Sequence, residues 1–277
     1  MKISIAGAGV AGLTCGVVLA ELGHDVTIVA SEIGITSRAA AAVWFPYDCA
    51  PEERVTAWAL ATYHRLVELA RESDTGVSLV ELRCLDIPLP DWISALGKLP
   101  LMETPKYLDY LRRRFRGKLR LGVTLRSLEE LPGEMVVNCT GVGARTLAND
   151  QEVEPHRGQV LVVDKLDLPA VLVHETSLAY AIPRPNDCIL GGTNDESDDL
   201  EPTLEDTAKI LAICREYLGV MGRVKEVKVG LRPFRRGGVR LEAEGRVIHN
   251  YGHGGSGFTV SWGCAEEVAA LCAHALD

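Results

Sequence analysis

The chain has 277 residues, and 29 Lys+Arg against 38 Asp+Glu give a formal net charge of −9 at neutral pH. Apolar residues make up 47% and charged ones 24%, enough for a sizeable core, which excludes a disordered chain, a collagen and a small disulfide scaffold. An acidic chain without a basic run is a poor ligand for polyanions, so neither nucleic acid nor an anionic membrane is an expected partner.

Lys2–Ala6 reads as a buried strand, a short apolar run bounded by glycine. Ile3 to Ala20 carries no charge and resembles a signal peptide or membrane span, but Gly7, Gly9, Gly12 and Gly16 would weaken a single helix there. A strand, a glycine turn and a helix over Val10–Leu22, closed by Gly23, fit better. With a second strand over Asp25–Ala30 they form a βαβ unit, which implies a parallel sheet and a right-handed crossover. Further on, Pro51–Ser73 places Val55, Trp58, Ala59, Thr62, Leu66 and Leu69 on one face of an amphipathic helix. Thr104 as cap and Pro105 at the first helical position open a basic helix through Arg114. Strands are expected near 77–85, 119–125, 134–138, 157–163, 170–174, 178–183, 187–192, 226–232, 237–242 and 246–249, and helices over Thr203–Leu218 and Gly257–Leu276. Early βαβ character, a strand-rich middle and a terminal helix predict α/β and α+β parts interleaved in the chain.

The eight cysteines are scattered, without CxxC or metal-ligand spacing, and are expected to be reduced, buried and cytosolic. Asn138-Cys139-Thr140 matches a glycosylation acceptor but abuts the run Met135-Val136-Val137, and reads as a buried strand end.

Gly7-Ala8-Gly9-Val10-Ala11-Gly12 fits GxGxxG directly after a strand and at the opening of a helix. The first glycine permits the tight turn, the second lets a pyrophosphate approach the backbone, and the third lets helix and strand pack closely. The helix N-terminus offers N–H groups and a partial positive charge to the phosphates. The ribose-binding acid expected at the end of the second strand falls at Ala30-Ser31-Glu32, so either the Ser31 hydroxyl or the Glu32 carboxylate must serve.

A second glycine-rich turn, His249 to Thr259, leads into the last helix. Four glycines in six positions bare a surface for something flat, and the helix behind it points a positive dipole end there. A two-electron-reduced flavin carries negative charge near N1 and the C2 oxygen, which such a dipole would stabilise. A simple nicotinamide enzyme has no need of this second cradle. His249 and His253, embedded among glycines, read as packing or backbone-fixing residues rather than general bases.

The motifs together resemble the D-amino-acid oxidase family. They are Gly7-Ala8-Gly9-Val10-Ala11-Gly12-Leu13, Ala41-Ala42-Val43-Trp44 with Pro46-Tyr47, Val137-Asn138-Cys139-Thr140-Gly141, Arg157-Gly158-Gln159, Tyr180-Ala181-Ile182-Pro183-Arg184, Gly230-Leu231-Arg232-Pro233, and Tyr251-Gly252-His253-Gly254-Gly255 running on to Trp262-Gly263-Cys264. The resemblance implies a Rossmann-like FAD-binding domain with a parallel sheet over 1–50, 119–165 and 235–277. It also implies a smaller α+β substrate domain on a mainly antiparallel sheet over 51–118 and 166–234. Its function would be oxidation of a D-amino acid to an imino acid, with non-covalent FAD reoxidised by dioxygen to give hydrogen peroxide.

By the same resemblance Arg232 grips the substrate carboxylate, the Tyr180 hydroxyl supports it, and the Gly255 carbonyl accepts a hydrogen bond from the amine. Besides the first glycine turn with Val10 and Ala11, the expected FAD contacts are Thr36, Ser37, Ala41, Ala42, Val43, Leu125 and Thr140, with Gly254, Ser256, Gly257, Phe258 and Thr259. The chain is short for the family: Arg83–Leu119 and the loop before Tyr180 look trimmed. Thr176 stands where a second active-site tyrosine is expected, and Ser256 where an aromatic is expected. Both would widen the pocket toward bulky, apolar D-amino acids. Asn194 replaces the arginine expected of D-aspartate oxidases. The terminal Ala-His-Ala-Leu-Asp lacks the peroxisomal tripeptide of eukaryotic relatives, so a cytoplasmic protein is expected, compatible with a homodimer. The alternatives are a glycine or sarcosine oxidase, a flavin-binding protein without turnover, and a nicotinamide-dependent dehydrogenase.

Overall fold

The computed structural model describes residues 1–274. Strands β1 (Lys2–Ala6) and β2 (Asp25–Val29) flank helix α1 (Val10–Glu21) and pair in parallel, from Lys2 opposite Asp25 to Ala6 opposite Val29. The expected βαβ unit is therefore present, and Gly23 supplies the positive φ of +88° that turns the chain from helix to strand.

After the short α2 (Ile35–Ala39), α3 (Glu52–Leu69) buries Val55, Trp58, Ala59, Thr62, Leu66 and Leu69, the face its periodicity predicts. The strand expected over 77–85 breaks at Glu81 into β3 (Val77–Val80) and β4 (Leu82–Cys84), which join different sheets. Next come α4 (Asp91–Ser94), β5 (Leu99–Met102) and α5 (Thr104–Arg114). Thr104 does not cap α5; its hydroxyl donates to the carbonyls of Arg38 and Ala40, both at 3.2 Å, and Glu103 takes the cap position.

The remaining elements are β6 (Lys118–Arg120), β7 (Met135–Asn138), α6 (Ala144–Leu147), β8 (Val153–Asp164), β9 (Val171–His174), β10 (Ala179–Pro183), β11 (Asp187–Gly191), β12 (Asp195–Glu196), α7 (Leu204–Leu218), β13 (Val224–Arg235), β14 (Arg240–Glu244), β15 (Val247–Tyr251) and α8 (Ser261–His274). Two large sheets result. The first runs β14-β15-β7-β1-β2-β6, parallel except for the β14–β15 hairpin. The second runs β12-β8-β11-β10-β9-β4, with β13 paired along the whole of β8; only β4 and β9 are parallel in it. Residues 153–164, expected to belong with the parallel sheet, thus supply one of the two longest strands of the antiparallel one, equal in length to β13.

Alternation along β8 divides the second core. Leu161 and Val163 pack toward Ile210 and Cys214 of α7, whereas Val160 and Val162 join Ile182, Ile189 and Val171 on the opposite face. On the first sheet, α1, α3, α5 and α8 share one apolar cluster with β1, β2 and β7. Gly16 leaves room there for Ile28 and Phe115, and Gly263 for the backbone of Trp58.

The final helix starts at Ser261, not at the expected Gly257, because residues 254–260 are tied to the chain at 45–47. The Thr259 hydroxyl accepts from the Phe45 N–H at 3.2 Å and donates to its carbonyl at 3.0 Å, and Ser256 does the same for Tyr47 at 2.7 Å each way. The expected end of that helix at Leu276 lies outside the described residues. All eight cysteines are unpaired; six are buried, while Cys49 and Cys84 are half-buried. Asn138 is fully buried. Among the described residues no helix is long and apolar enough to cross a membrane.

Candidate active site

Between the two sheets lies a cavity of about 1010 Å³, at the upper end of the roughly 300–1,000 Å³ usual for ligand sites. At one end Gly7, Gly9, Val10 and Ala11 line it. Gly7 has a φ of +101°, and a Cβ there would run into the Cys139 carbonyl. Apart from the Val10 N–H, which donates to Ser37 Oγ at 3.1 Å, the first turn of α1 has no side-chain cap. Its dipole end is therefore presented to the cavity. Gly12 does not line the cavity; a Cβ there would strike the Gly7 carbonyl, so it serves the close packing of turn and helix.

Ser31 and Glu32 both reach the same end, with Leu125 and Thr140. Thr140 is fixed by Asn138 Oδ1, which accepts from its N–H at 3.2 Å and its hydroxyl at 2.7 Å. Thr36, Ser37, Ala41, Ala42 and Val43 form the middle wall. The Thr36 hydroxyl donates to the Leu231 carbonyl at 3.1 Å, tying that wall to β13.

Gly254, Gly255, Gly257, Phe258 and Thr259 line the cavity from the second glycine turn, whereas Ser256 is turned into its bonds with Tyr47. A Cβ on Gly255 would stand 2.6 Å from Cδ1 of Tyr47, so the ring packs directly on that glycine.

Arg232 of β13 and Tyr180 of β10 occupy the far end. Glycines make room for both: a Cβ on Gly158 would lie 2.5 Å from Cζ of Arg232, and one on Gly192 would lie 3.0 Å from the Tyr180 hydroxyl. Arg232 Nη1 donates to the Thr193 carbonyl at 2.9 Å and to Asn194 Oδ1 at 3.2 Å, leaving Nη2 without a partner among the described residues. Burial raises the hydroxyl pKa of Tyr180 and of Tyr47, and the nearby Arg232 charge opposes it in both. Both phenols are neutral donors at neutral pH.

Tyr47 and Asn194 complete this cluster, and the sequence pattern alone assigns a role to neither. Tyr47 lies inside one of the motifs, and Asn194 stands out in the sequence only by the arginine it replaces. The two histidines behave as packing residues. His253 is buried, Nε2 lies 2.9 Å from Asn250 Oδ1, and burial pushes it down to about 4. His249 Nε2 lies 3.2 Å from Glu244. Among the described residues none from 51–118 lines the cavity. That segment backs the site instead: the Asp86 carboxylate accepts the N–H groups of Glu175 and Thr176 at 2.9 and 2.8 Å, and the Met102 N–H donates to the Ala42 carbonyl at 3.0 Å.

The family model described as FAD dependent oxidoreductase (DAO) matches residues 2–132 and 111–271. The chain is 41% identical to a D-amino-acid oxidase of Rubrobacter xylanophilus, over 99% of this chain and 96% of that one. It is 34% identical to a D-amino-acid oxidase of Dictyostelium discoideum, over 98% and 91%. A glycine oxidase structure from Geobacillus kaustophilus superposes with a TM-score of 0.80 at 17% identity, over 99% of this chain and 95% of that one. The geometry suits FAD: an uncapped helix end for a pyrophosphate, a bare glycine wall for a flat ring, and one cavity joining them. The chain belongs to the D-amino-acid oxidase family of FAD-dependent oxidoreductases.

Proposed function

We propose that the protein oxidises D-amino acids to imino acids, which hydrolyse in water to 2-oxo acids and ammonia, with dioxygen reduced to hydrogen peroxide. The observation that carries this reading is the meeting of Arg232, Tyr180 and Gly255 at one end of a cavity whose other end is the glycine cradle of α1. Similarity to D-amino-acid oxidases along nearly the whole chain supports it.

In this proposal FAD, held non-covalently, would supply the two-electron acceptor for the hydride of the substrate α-carbon. Gly7, Gly9, Val10 and Ala11 would hold its pyrophosphate, Ser31 or Glu32 its ribose, and Gly254 and Gly257–Thr259 its ring end. Arg232 binds the substrate carboxylate through its free guanidinium edge, in the planar geometry that arginine suits. The Tyr180 hydroxyl donates to the same carboxylate, and the Gly255 carbonyl accepts from the amine. A substrate held at three points presents its α-hydrogen on one side only, which selects D over L. No acid–base side chain is needed; positioning provides most of the rate.

Neither Thr176 nor Ser256 lines the cavity, so neither widens it; we place the protein in the cytoplasm. Oxygen uptake and peroxide release across D-, L- and N-methyl amino acids and glycine test the reading. Turnover confined to D-amino acids, without strong preference for D-alanine over D-phenylalanine, is expected; preference for glycine or sarcosine would replace it.

A further inference from the structure

We propose that the substrate pocket recognises D-amino acids with a cationic side chain, and that Glu175 is the carboxylate that receives the cation. This deepens, and rests on, the reading of the cavity as a D-amino-acid oxidase site.

Glu175 lines the cavity together with Tyr47, Tyr180 and Arg232. Its negative charge, with that of Asp48, helps hold the Tyr47 hydroxyl above its ordinary range, which places the carboxylate within electrostatic reach of the substrate end. Of the other acids nearby, Asp86 holds two backbone N–H groups and lies 3.3 Å from His174 Nδ1, while Asp48 lies 3.7 Å from His156 Nδ1 and does not line the cavity. Glu175 has no such commitment. Among the described residues no lysine or arginine pairs with its side chain, although arginines and lysines elsewhere pair freely with carboxylates.

The backbone that carries the carboxylate is held in place before any ligand arrives. Asp86 accepts the Glu175 N–H at 2.9 Å, and the Glu175 carbonyl accepts the Leu178 N–H at 3.0 Å, so the turn carrying it is fastened at both ends. Only the side chain of Glu175, and not its backbone, remains to be ordered on binding. The carboxylate lacks a partner of opposite charge, which an ammonium or guanidinium from the substrate would supply. Val173, Leu178 and Leu200 give the cavity an apolar wall suited to the aliphatic stem of such a side chain. Arg232 and Glu175 then offer the cavity two charges of opposite sign, one for the α-carboxylate and one for the distal cation. Acidic side chains meet the wrong pole.

The test compares kcat/KM for D-arginine with that for its neutral isostere D-citrulline, on the FAD-loaded enzyme at low ionic strength. D-arginine should be favoured by about fivefold or more, the scale of a partly screened ion pair. Glu175→Gln should bring the ratio to about one. Calorimetry gives the same comparison without turnover: 5-guanidinopentanoate, which has no oxidisable amine, should bind about fivefold more tightly than hexanoate, and this gap should close in Glu175→Gln. A parent ratio near one, or a ratio that the substitution leaves unmoved, overturns the proposal while the oxidase reading stands. No turnover of any D-amino acid, D-citrulline included, overturns both.

Discussion

Asn194 joins the two sides of the substrate end: its Oδ1 accepts from Arg232 Nη1 at 3.2 Å, and its Nδ2 reaches the Tyr47 hydroxyl at 3.5 Å. The guanidinium is thereby held by two acceptors on one nitrogen, the second being the Thr193 carbonyl at 2.9 Å. Asn194→Ala should raise KM for a D-amino acid about tenfold, corresponding to about 1.4 kcal/mol of lost positioning, with a smaller change in kcat. Asn194→Asp should raise it further, because a carboxylate beside Arg232 competes with that of the substrate. Steady-state kinetics of the two variants check both outcomes.

Arg232→Ala removes the proposed carboxylate partner itself. Loss of about 2–5 kcal/mol of binding is expected, with the yellow flavin colour retained. Near-normal turnover would remove Arg232 from the site.

Gly158→Ala probes the same side chain without touching its chemistry. The added methyl would stand 2.5 Å from Cζ of Arg232, so the guanidinium must move. KM should rise by about tenfold or more, since an ångström of misplacement is costly at a clamp. Titration with FAD should show cofactor affinity close to that of the parent.

Much of the fold could be read from local patterns. The apolar run, glycine turn and helix of 2–22 carry their own signals, and the buried face of α3 follows from 3.6-residue periodicity. The pairing of Asn194 with Arg232 could not be read, because 38 residues separate them and only the packing of β8, β12 and β13 brings them together. The late start of α8 was hidden for a similar reason: hydroxyls of Ser256 and Thr259 find their partners at 45–47, far back in the chain. Glu81 gave no local sign that β3 and β4 would part into different sheets. Within the glycine turns, composition marks the wall but not its lining, and Gly12 and Ser256 carry the same signal as residues that face the cavity.

His253 gives a pH dependence with a definite sign. Burial lowers it from 6.5 to about 4, so on acidification the unfolded chain takes up the proton first. The stability due to its neutral form is complete above pH 6.5 and is lost as the pH falls toward 4, by about 1.4 kcal/mol per unit at most. Urea unfolding between about pH 7 and 4.5 should show a loss of about 2–3 kcal/mol, and His253→Gln should flatten it. Stability that does not change over this range would contradict a buried neutral imidazole.

Anaerobic addition of a D-amino acid to the FAD-loaded protein, followed by visible absorbance, tests the central claim most directly. The flavin bands should bleach with the D-enantiomer within the mixing time of a manual experiment and persist with the L-enantiomer. Bands that survive saturating D-amino acids, or that bleach equally with both enantiomers, would contradict it.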